Sequence, residues 1–417
     1  MHTREDTLRA LLELGAAMLL NGAEVNRVER RLEELGRAYG ASAMSVFVIT
    51  ASMVVTMEFP DGAQLTQSRR ILGAGGTDYR VIERLDRLAR ECSAQPCAPH
   101  ELQQRVRECQ ELPSDRAGFY LGSVLAAAGF AVFFGGGWPE ALAAAVFALL
   151  VALMQRAWGG LAPNPIIFNL VCSLVTGLAI GGVAQLLPEL RVDKVLIGEV
   201  MLLIPGIVMT NAIRDMLMGD TIAGVMRFVE TLLWATGLAS GFMVALLLTG
   251  VTAAVGPGLP ATPAGMALQT AMAFVGSLGF AMIFHLRRRW LLAASLGGML
   301  SWMVYLGVTA ALSTEDILVP TLVASAFAAL YAEVCAHALK TPSLLFVIPA
   351  VVPLIPGAAL YYTMSFAVAA DWATCSSYAL RTLWFAAGIA AGMCITWAVE
   401  ATLHRSRQLR GGQRAQM

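Results

Sequence analysis

The chain writes Leu-Ile-Pro-Gly twice, at Leu203–Gly206 and again at Leu354–Gly357, 151 residues later. Each copy lies in an apolar run long enough to enter a bilayer. Proline inside a helix removes one hydrogen bond and clashes with the carbonyl four residues back. Those carbonyls belong to Met201 and Val352. The adjacent glycine lets backbone and ligand approach closely. In hydrocarbon, freed backbone groups persist only where protein or a water-filled cavity satisfies them. Paired broken segments at corresponding positions of two halves are the sequence pointer to a transport site.

The same offset of 151 extends beyond the tetrapeptide. Asp220 maps onto Asp371, Glu230-Thr231 onto Arg381-Thr382, and Gly237 and Gly241 onto Gly388 and Gly392. One such match is unremarkable among Gly- and Ala-rich segments; several at one ungapped offset define an internal repeat. The paired GxxxG motifs read as helix-packing surfaces rather than ligand contacts.

Composition then separates two regions. Hydrophobic residues make up 57% of the 417-residue chain and charged residues 14%, against roughly 25% charged in soluble domains. Mean hydropathy is +0.65. Residues 1–116 nevertheless hold 15 of the 29 Lys+Arg and 17 of the 29 Asp+Glu. The expected organisation is a soluble domain over 1–116 and two membrane repeats over 117–257 and 258–417, the second ending in a basic tail. Net charge is zero, which gives no reason to expect a nucleic-acid partner. The charged start, Met1 to Asp6, does not read as a secretory leader. Seven scattered cysteines fit free thiols in a reducing compartment.

In the first region, helices are expected over 4–19, 23–37, 79–91 and 100–112. Residues 45–57 read as β, with a return strand near 63–68 after the Pro60-Asp61-Gly62 turn, making a small α/β domain. Its densest polar cluster contains Asn21, Glu24, Arg27 and Glu29. Helix capping and dipole complementarity account for such residues at a helix start; a gating or ligand contact is the alternative. The region shows no phosphate loop, metal-ligand spacing or nucleophile elbow, so neither catalysis nor a metal or cofactor is expected.

Ten spans are expected, near 118–136, 139–155, 165–187, 195–213 and 222–248, then 264–284, 290–312, 317–338, 343–361 and 378–402. With the N-terminus inside, ten basic residues fall on the cytoplasmic side (Arg156, Arg214, Arg287, Arg288, Arg289, Lys340, Arg405, Arg407, Arg410 and Arg414) and two, Arg191 and Lys194, outside. Both termini are therefore expected in the cytoplasm. Sequential repeats with an odd number of spans run in opposite directions, which is the inverted-repeat construction of secondary transporters.

Charges inside spans are functional candidates by default. Glu199, Arg227, Glu230, Glu333, Arg381 and Glu400 fall in this class, Glu400 near enough to a helix end to reach the interface. Glu199, Glu230, Glu333 and Arg381, with Asp220 and Asp371 at repeat-related ends, are the expected proton-coupling or ion-pair residues. Glu230 and Arg381, equivalent in position and opposite in sign, suit either a structural pair or a substrate role. His337 follows Glu333 at i, i+4, a weak proton-relay or metal signal.

Several stretches resemble the threonine/serine exporter family. The N-terminal match is Leu19 through Glu24 with Arg27-Val28-Glu29. The first membrane half matches from Ile204-Pro205-Gly206 through Asn211-Ala212-Ile213-Arg214-Asp215 to Gly219-Asp220. The second matches at Ala332-Glu333, Lys340-Thr341-Pro342, Ile348-Pro349 and Pro353 through Tyr362. The resemblance implies an inner-membrane exporter of L-threonine and L-serine driven by the proton gradient. Two-subunit relatives, with the halves on separate chains, resemble exporters of a dicarboxylate such as succinate. The long N-terminal extension that some fused members carry is not matched here, which leaves export better supported than the choice of amino acid.

The expected substrate site comprises Pro205, Gly206, Asn211, Asp215, Pro356, Gly357, Tyr361 and Tyr362. A half-helix N-terminus presents free N–H groups and a positive dipole end to a carboxylate, and Asn211, Tyr361 and Tyr362 supply hydrogen bonds to an amine or hydroxyl. The expected partners are a small substrate, protons and the lipid bilayer, and a homo-oligomer is compatible with them. The rivals are an intramembrane enzyme built on Glu333 and His337, and a passive channel.

Overall fold

The structure is a computed structural model. It describes residues 3–23, 25–49, 52–71, 78–112, 115–159, 164–203, 206–219, 221–251, 258–260, 262–312, 316–339 and 341–414. The chain divides into two compact units, Met1–Ala117 with Phe284–Arg287, and Gly118–Ile283 with Arg288–Met417.

The first unit holds α1 (Arg4–Leu20), α2 (Val25–Ala38), β1 (Ala43–Ile49), β2 (Ser52–Glu58), β3 (Gln64–Arg70), α3 (Tyr79–Ala94) and α4 (Pro99–Gln110). Thr3 and Asp6 form a reciprocal capping box that starts α1, and Asp78 caps α3 by accepting the Arg80 N–H at 3.0 Å. The strands form an antiparallel sheet in the order β1-β2-β3. Its inward face carries Met53, Val55 and Met57, packed with Leu8, Leu11, Leu14, Val28, Leu32 and Leu85. The single β stretch expected over 45–57 is thus two strands, paired from Ile49↔Ser52 to Ala43↔Glu58. The link between them, Thr50-Ala51, lies outside the described residues and contains no Gly, Asn or Pro. Within this unit the Tyr79 N–H donates to the Phe284 carbonyl at 3.1 Å, and the Arg287 Nε donates to Glu83 at 3.1 Å.

The second unit is helical: α5 (Arg116–Phe133), α6 (Trp138–Trp158), α7 (Pro165–Leu186), α8 (Val192–Leu203), α9 (Gly206–Met218) and α10 (Thr221–Thr249), then α11 (Pro263–Ile283), α12 (Arg288–Leu312), α13 (Leu318–Leu339), α14 (Leu344–Val351), α15 (Gly357–Val368) and α16 (Trp372–Arg414). Among the described residues eight helices are long and apolar enough to cross a membrane, and up to nine if the bent α14–α15 pair is one span. Leu142, Val146, Leu149 and Leu153 form an exposed apolar stripe on α6, a face suited to lipid. The chain is an integral membrane protein.

The repeat is visible in the packing. The GxxxG of α10 lies on α7 and that of α16 on α13. A methyl at Gly237 would stand 2.8 Å from the Ile166 carbonyl oxygen; one at Gly388 would stand 3.0 Å from that of Leu318. A methyl at Gly241 would overlap the Ser173 Oγ and Leu170 carbonyl; one at Gly392 would overlap the Ser325 Oγ and Leu322 carbonyl. Thr231 and Thr382 are both buried, and each hydroxyl donates at 2.8 Å to the carbonyl four residues back, on Arg227 and Tyr378. The halves also interlock, with α9 against α16 and α15 against α10.

Candidate functional site

The second tetrapeptide breaks its helix as proline chemistry demands. After α14, Val352–Leu354 form a 3-10 turn, Ile355 is extended at φ −63° and ψ 128°, and Pro356 precedes α15 without a side-chain cap. The axes bend by 49° across the break. In the first half, α8 ends at Leu203 and α9 begins at Gly206; Ile204 and Pro205 lie outside the described residues. α15 therefore starts at the glycine of the second tetrapeptide, and α9 is described from the glycine of the first.

The half-helices before the breaks differ in chemistry. In α14, Leu344 through Val351 are all apolar and buried. α8 packs against α6, α7 and α15 and carries three charged residues inward. At the repeat offset Asp193 and Lys194 stand where the second half has Leu344 and Leu345, and Glu199 where it has Ala350. Asp193 and Lys194 are each 3% exposed, and the Lys194 Nζ lies 3.0 Å from the Asp193 Oδ2. This corrects the placement of Lys194 in an external loop. Arg191 instead sits beside Glu140, which accepts its N–H at 3.0 Å and also that of Gly137 at 2.6 Å.

Glu199 is fully buried, and among the described residues neither of its carboxyl oxygens has a hydrogen-bond partner. Cys172 on α7 lies within electrostatic reach of it, and Thr176, one turn along α7, is also buried.

Tyr361 and Tyr362 are buried on the first turns of α15. Asp193 is close enough to interact electrostatically with both phenols. The Tyr362 hydroxyl is buried and has no hydrogen-bond partner among the described residues. Its ring packs on Tyr378 with centroids 5.1 Å apart, and Tyr361 meets Phe242 of α10 edge-on at 6.1 Å. The structure thus brings the expected residues Tyr361 and Tyr362 within electrostatic reach of Asp193, a residue not singled out from the sequence. Asp193 and Lys194, ahead of Glu199 in a short apolar run before the first tetrapeptide, were the available signal.

Asp215 is buried and bonds Arg227, with NH1 donating to Oδ2 at 2.7 Å. At the repeat offset these positions are Phe366 and Tyr378, whose rings stack at 5.7 Å and 16°. Arg227 was among the in-span charges expected to be functional candidates; Tyr378 was not singled out. Asn211 lies in α9, with its side chain outside what the structure describes, and Asp220 is likewise outside the described residues.

Other expectations need correction. No ion pair joins Glu230 to Arg381 among the described residues. Arg381 is exposed and Glu230 half-exposed, because α10 and α16 each pack on the other half's bent helix and these side chains point away. Asp371 is exposed and caps α16, its Oδ1 accepting the Thr374 N–H at 3.2 Å. Bonds from the side chain and then the backbone of Thr374 hold its carboxyl below the usual range. On α13, the His337 Nδ1 lies 2.8 Å from the backbone carbonyl of Glu333, and Glu333 is half-buried. Among the described residues no three His, Cys, Asp or Glu converge to hold a metal.

In the N-terminal motif, Asn21 Nδ2 donates to the Ala17 carbonyl at 2.7 Å at the end of α1. Glu29 Oε1 accepts the Val48 N–H at 3.1 Å, tying α2 to β1. The Arg27 Nε is buried without a partner among the described residues, and Glu24 lies outside them. Arg287 reaches Glu83 on α3.

Comparison with known proteins bears on both halves. A family profile described as "Putative threonine/serine exporter" matches residues 9–249, and a second, "Threonine/Serine exporter, ThrE", matches residues 269–399. The chain is similar to a "Threonine/serine exporter" of Corynebacterium glutamicum, 22% identical over 314 residues. That match covers 70% of this chain and 62% of the relative, so the chain spans less than two thirds of that exporter's length. It is also similar to a "Probable succinate transporter subunit YjjP" of Klebsiella aerogenes, 22% identical over 58% of this chain and 94% of the relative. The protein of the same description from Escherichia coli K12 is 25% identical over 58% of this chain and 94% of its own length. No solved structure matches.

Proposed function

This chain belongs to the threonine/serine exporter family, and from that premise we propose that it is a secondary-active, proton-coupled exporter of small polar carboxylate metabolites in the bacterial cytoplasmic membrane, with L-threonine and L-serine as its first substrates. The observation that carries the reading is the helix broken at the second tetrapeptide, from whose glycine α15 begins, packed against α8, whose charges are buried. Half-helix N-termini of this kind favour an anionic group.

In this reading each half contributes five spans, α8 with α9 and the bent pair α14–α15 are the fourth span of each, and the halves run in opposite directions. The basic residues place both termini inside. Moving Lys194 into the protein leaves Arg191 as the one basic residue on the external side, which strengthens the asymmetry. Glu199 is assigned the coupling proton, since a buried carboxyl without a partner can stay in hydrocarbon only when neutral.

A second reading, a dicarboxylate exporter, draws on the similarity to the succinate transporter subunits. Counterflow of radiolabelled threonine, serine and succinate into proteoliposomes, with and without a pH gradient, decides between them. The exporter reading expects uptake of at least one substrate that rises with the gradient. Gradient-independent flux favours a channel, and no flux of any of the three defeats the proposal.

A further inference from the structure

We propose that Asp193, Lys194 and the Tyr362 hydroxyl form the substrate-reading end of the site, and that together they select a zwitterionic α-amino acid over a dianion. The inference rests on the exporter reading and names which of its substrate classes fits.

The argument starts from what these residues cost. An ion pair held away from water is a poor source of stability, because desolvation offsets its attraction. A packed apolar pair does the same structural job, and the chain itself places one at the equivalent positions, Leu344 and Leu345. A buried hydroxyl without a partner is unfavourable as well, and Tyr362 carries one. These costs fall together: Asp193 lies within electrostatic reach of both Tyr361 and Tyr362, and α8 packs on α15. They also fall beside the break from which α15 starts.

Charge decides the class of ligand. The Asp193 carboxylate and Lys194 ammonium face each other at 3.0 Å, so the site offers one charge of each sign. An α-amino acid carries the same two charges on one carbon. It can open the pair, its carboxylate taking Lys194 and its ammonium taking Asp193, with no net charge added to a low-dielectric site. A side-chain hydroxyl, or a carboxylate oxygen, then meets the vacant bonding capacity of Tyr362. Succinate offers two negative groups, one of which must face Asp193, and like charges at short range in such a site are strongly unfavourable.

The test uses the full chain in proteoliposomes. Labelled threonine counterflow is challenged with threonine methyl ester, 3-hydroxybutyrate (threonine without its amine), serine and succinate. The inference expects serine to compete and the other three to fail. Three variants accompany it. Tyr362→Phe removes a hydroxyl with no partner and should fold normally while raising the KM for threonine roughly tenfold. Asp193→Asn removes the partner of the ammonium and the repulsion of a second carboxylate, so it should weaken threonine and let succinate compete. The double variant Asp193→Leu with Lys194→Leu copies the second half, avoids stranding a charge, and should fold but not transport threonine. Wild-type preference for succinate, or near-normal threonine KM in Tyr362→Phe and the double variant, overturns the inference while leaving export intact. Loss of all flux in the wild-type chain removes the exporter reading itself.

Discussion

The contact between Asp215 and Arg227 invites a transplant between the two halves. Their side chains are 2% and 13% exposed and 2.7 Å apart. Removing the carboxylate with Asp215→Ala strands a guanidinium in apolar surroundings, a change worth about 3–5 kcal/mol for a buried pair. The residual exposure of Arg227 puts the expected loss near the lower end, at about 3 kcal/mol. The second half solves the same packing problem with Phe366 stacked on Tyr378. Asp215→Phe combined with Arg227→Tyr should therefore recover most of the loss, since replacing a buried ion pair by packed apolar groups is commonly neutral or favourable. Thermal unfolding of the full chain in detergent, followed by tryptophan fluorescence and monodispersity, measures both variants. A neutral Asp215→Ala, or a double variant no better than the single, refutes the reasoning. Transport then separates roles: a double variant that folds but does not transport assigns Asp215 to the transport cycle rather than to stability.

Three further outcomes are expected. Glu199→Leu should leave the fold as stable or more stable, by about 1–3 kcal/mol for removal of unpartnered buried oxygens, yet abolish the response of threonine flux to a pH gradient; unchanged gradient dependence counts against the assignment. Gly241→Ala and Gly392→Ala should each destabilise by about 1–3 kcal/mol through helix separation, because the added methyl meets backbone carbonyls in both halves; unfolding measurements showing either to be neutral would contradict the packing. Burial, reinforced by the neighbouring Cys97, pushes the Cys92 thiol up to about 12, so peptide mapping should find Cys92 poorly alkylated by iodoacetamide at pH 7.5 in the native chain and fully alkylated after denaturation.

The parts of this fold legible in sequence are those dictated by backbone chemistry. Proline and glycine placed the breaks, and the glycine spacing placed the α7–α10 and α13–α16 contacts, because each acts where it stands. The division of 45–57 into β1 and β2 was illegible because no Gly, Asn or Pro interrupts that stretch. Lys194 was misplaced for a different reason. Arg191-Val192-Asp193-Lys194 has the composition of a loop, and only the packing of α8 among α6, α7 and α15 turns its charges inward. The expected Glu230–Arg381 pair failed because repeat-related positions of opposite sign meet only if their helices face each other across the repeat. Here α10 and α16 instead each grip the other half's bent helix.

The repeat itself separates scaffold from chemistry. What recurs in register is what shapes the backbone: the tetrapeptide, the paired glycines that admit a neighbouring carbonyl, and Thr231 and Thr382 bonding their own helices. Apart from Asp220 with Asp371 and the sign-reversed Glu230 with Arg381, the groups able to bind or carry charge do not recur. Asp193 and Lys194 give way to Leu344 and Leu345, Glu199 to Ala350, and the Asp215–Arg227 pair to Phe366 and Tyr378. A symmetric scaffold with a symmetric site would present any substrate with two equivalent poses. Here the charges come from the first half and the buried phenols of Tyr361 and Tyr362 from the second, so a small asymmetric molecule has one orientation that satisfies both. That division also explains why one half cannot supply the site alone: α8 without α15 leaves charges with no hydroxyl partner, and α15 without α8 leaves an aromatic pocket with nothing to hold an ammonium or a carboxylate.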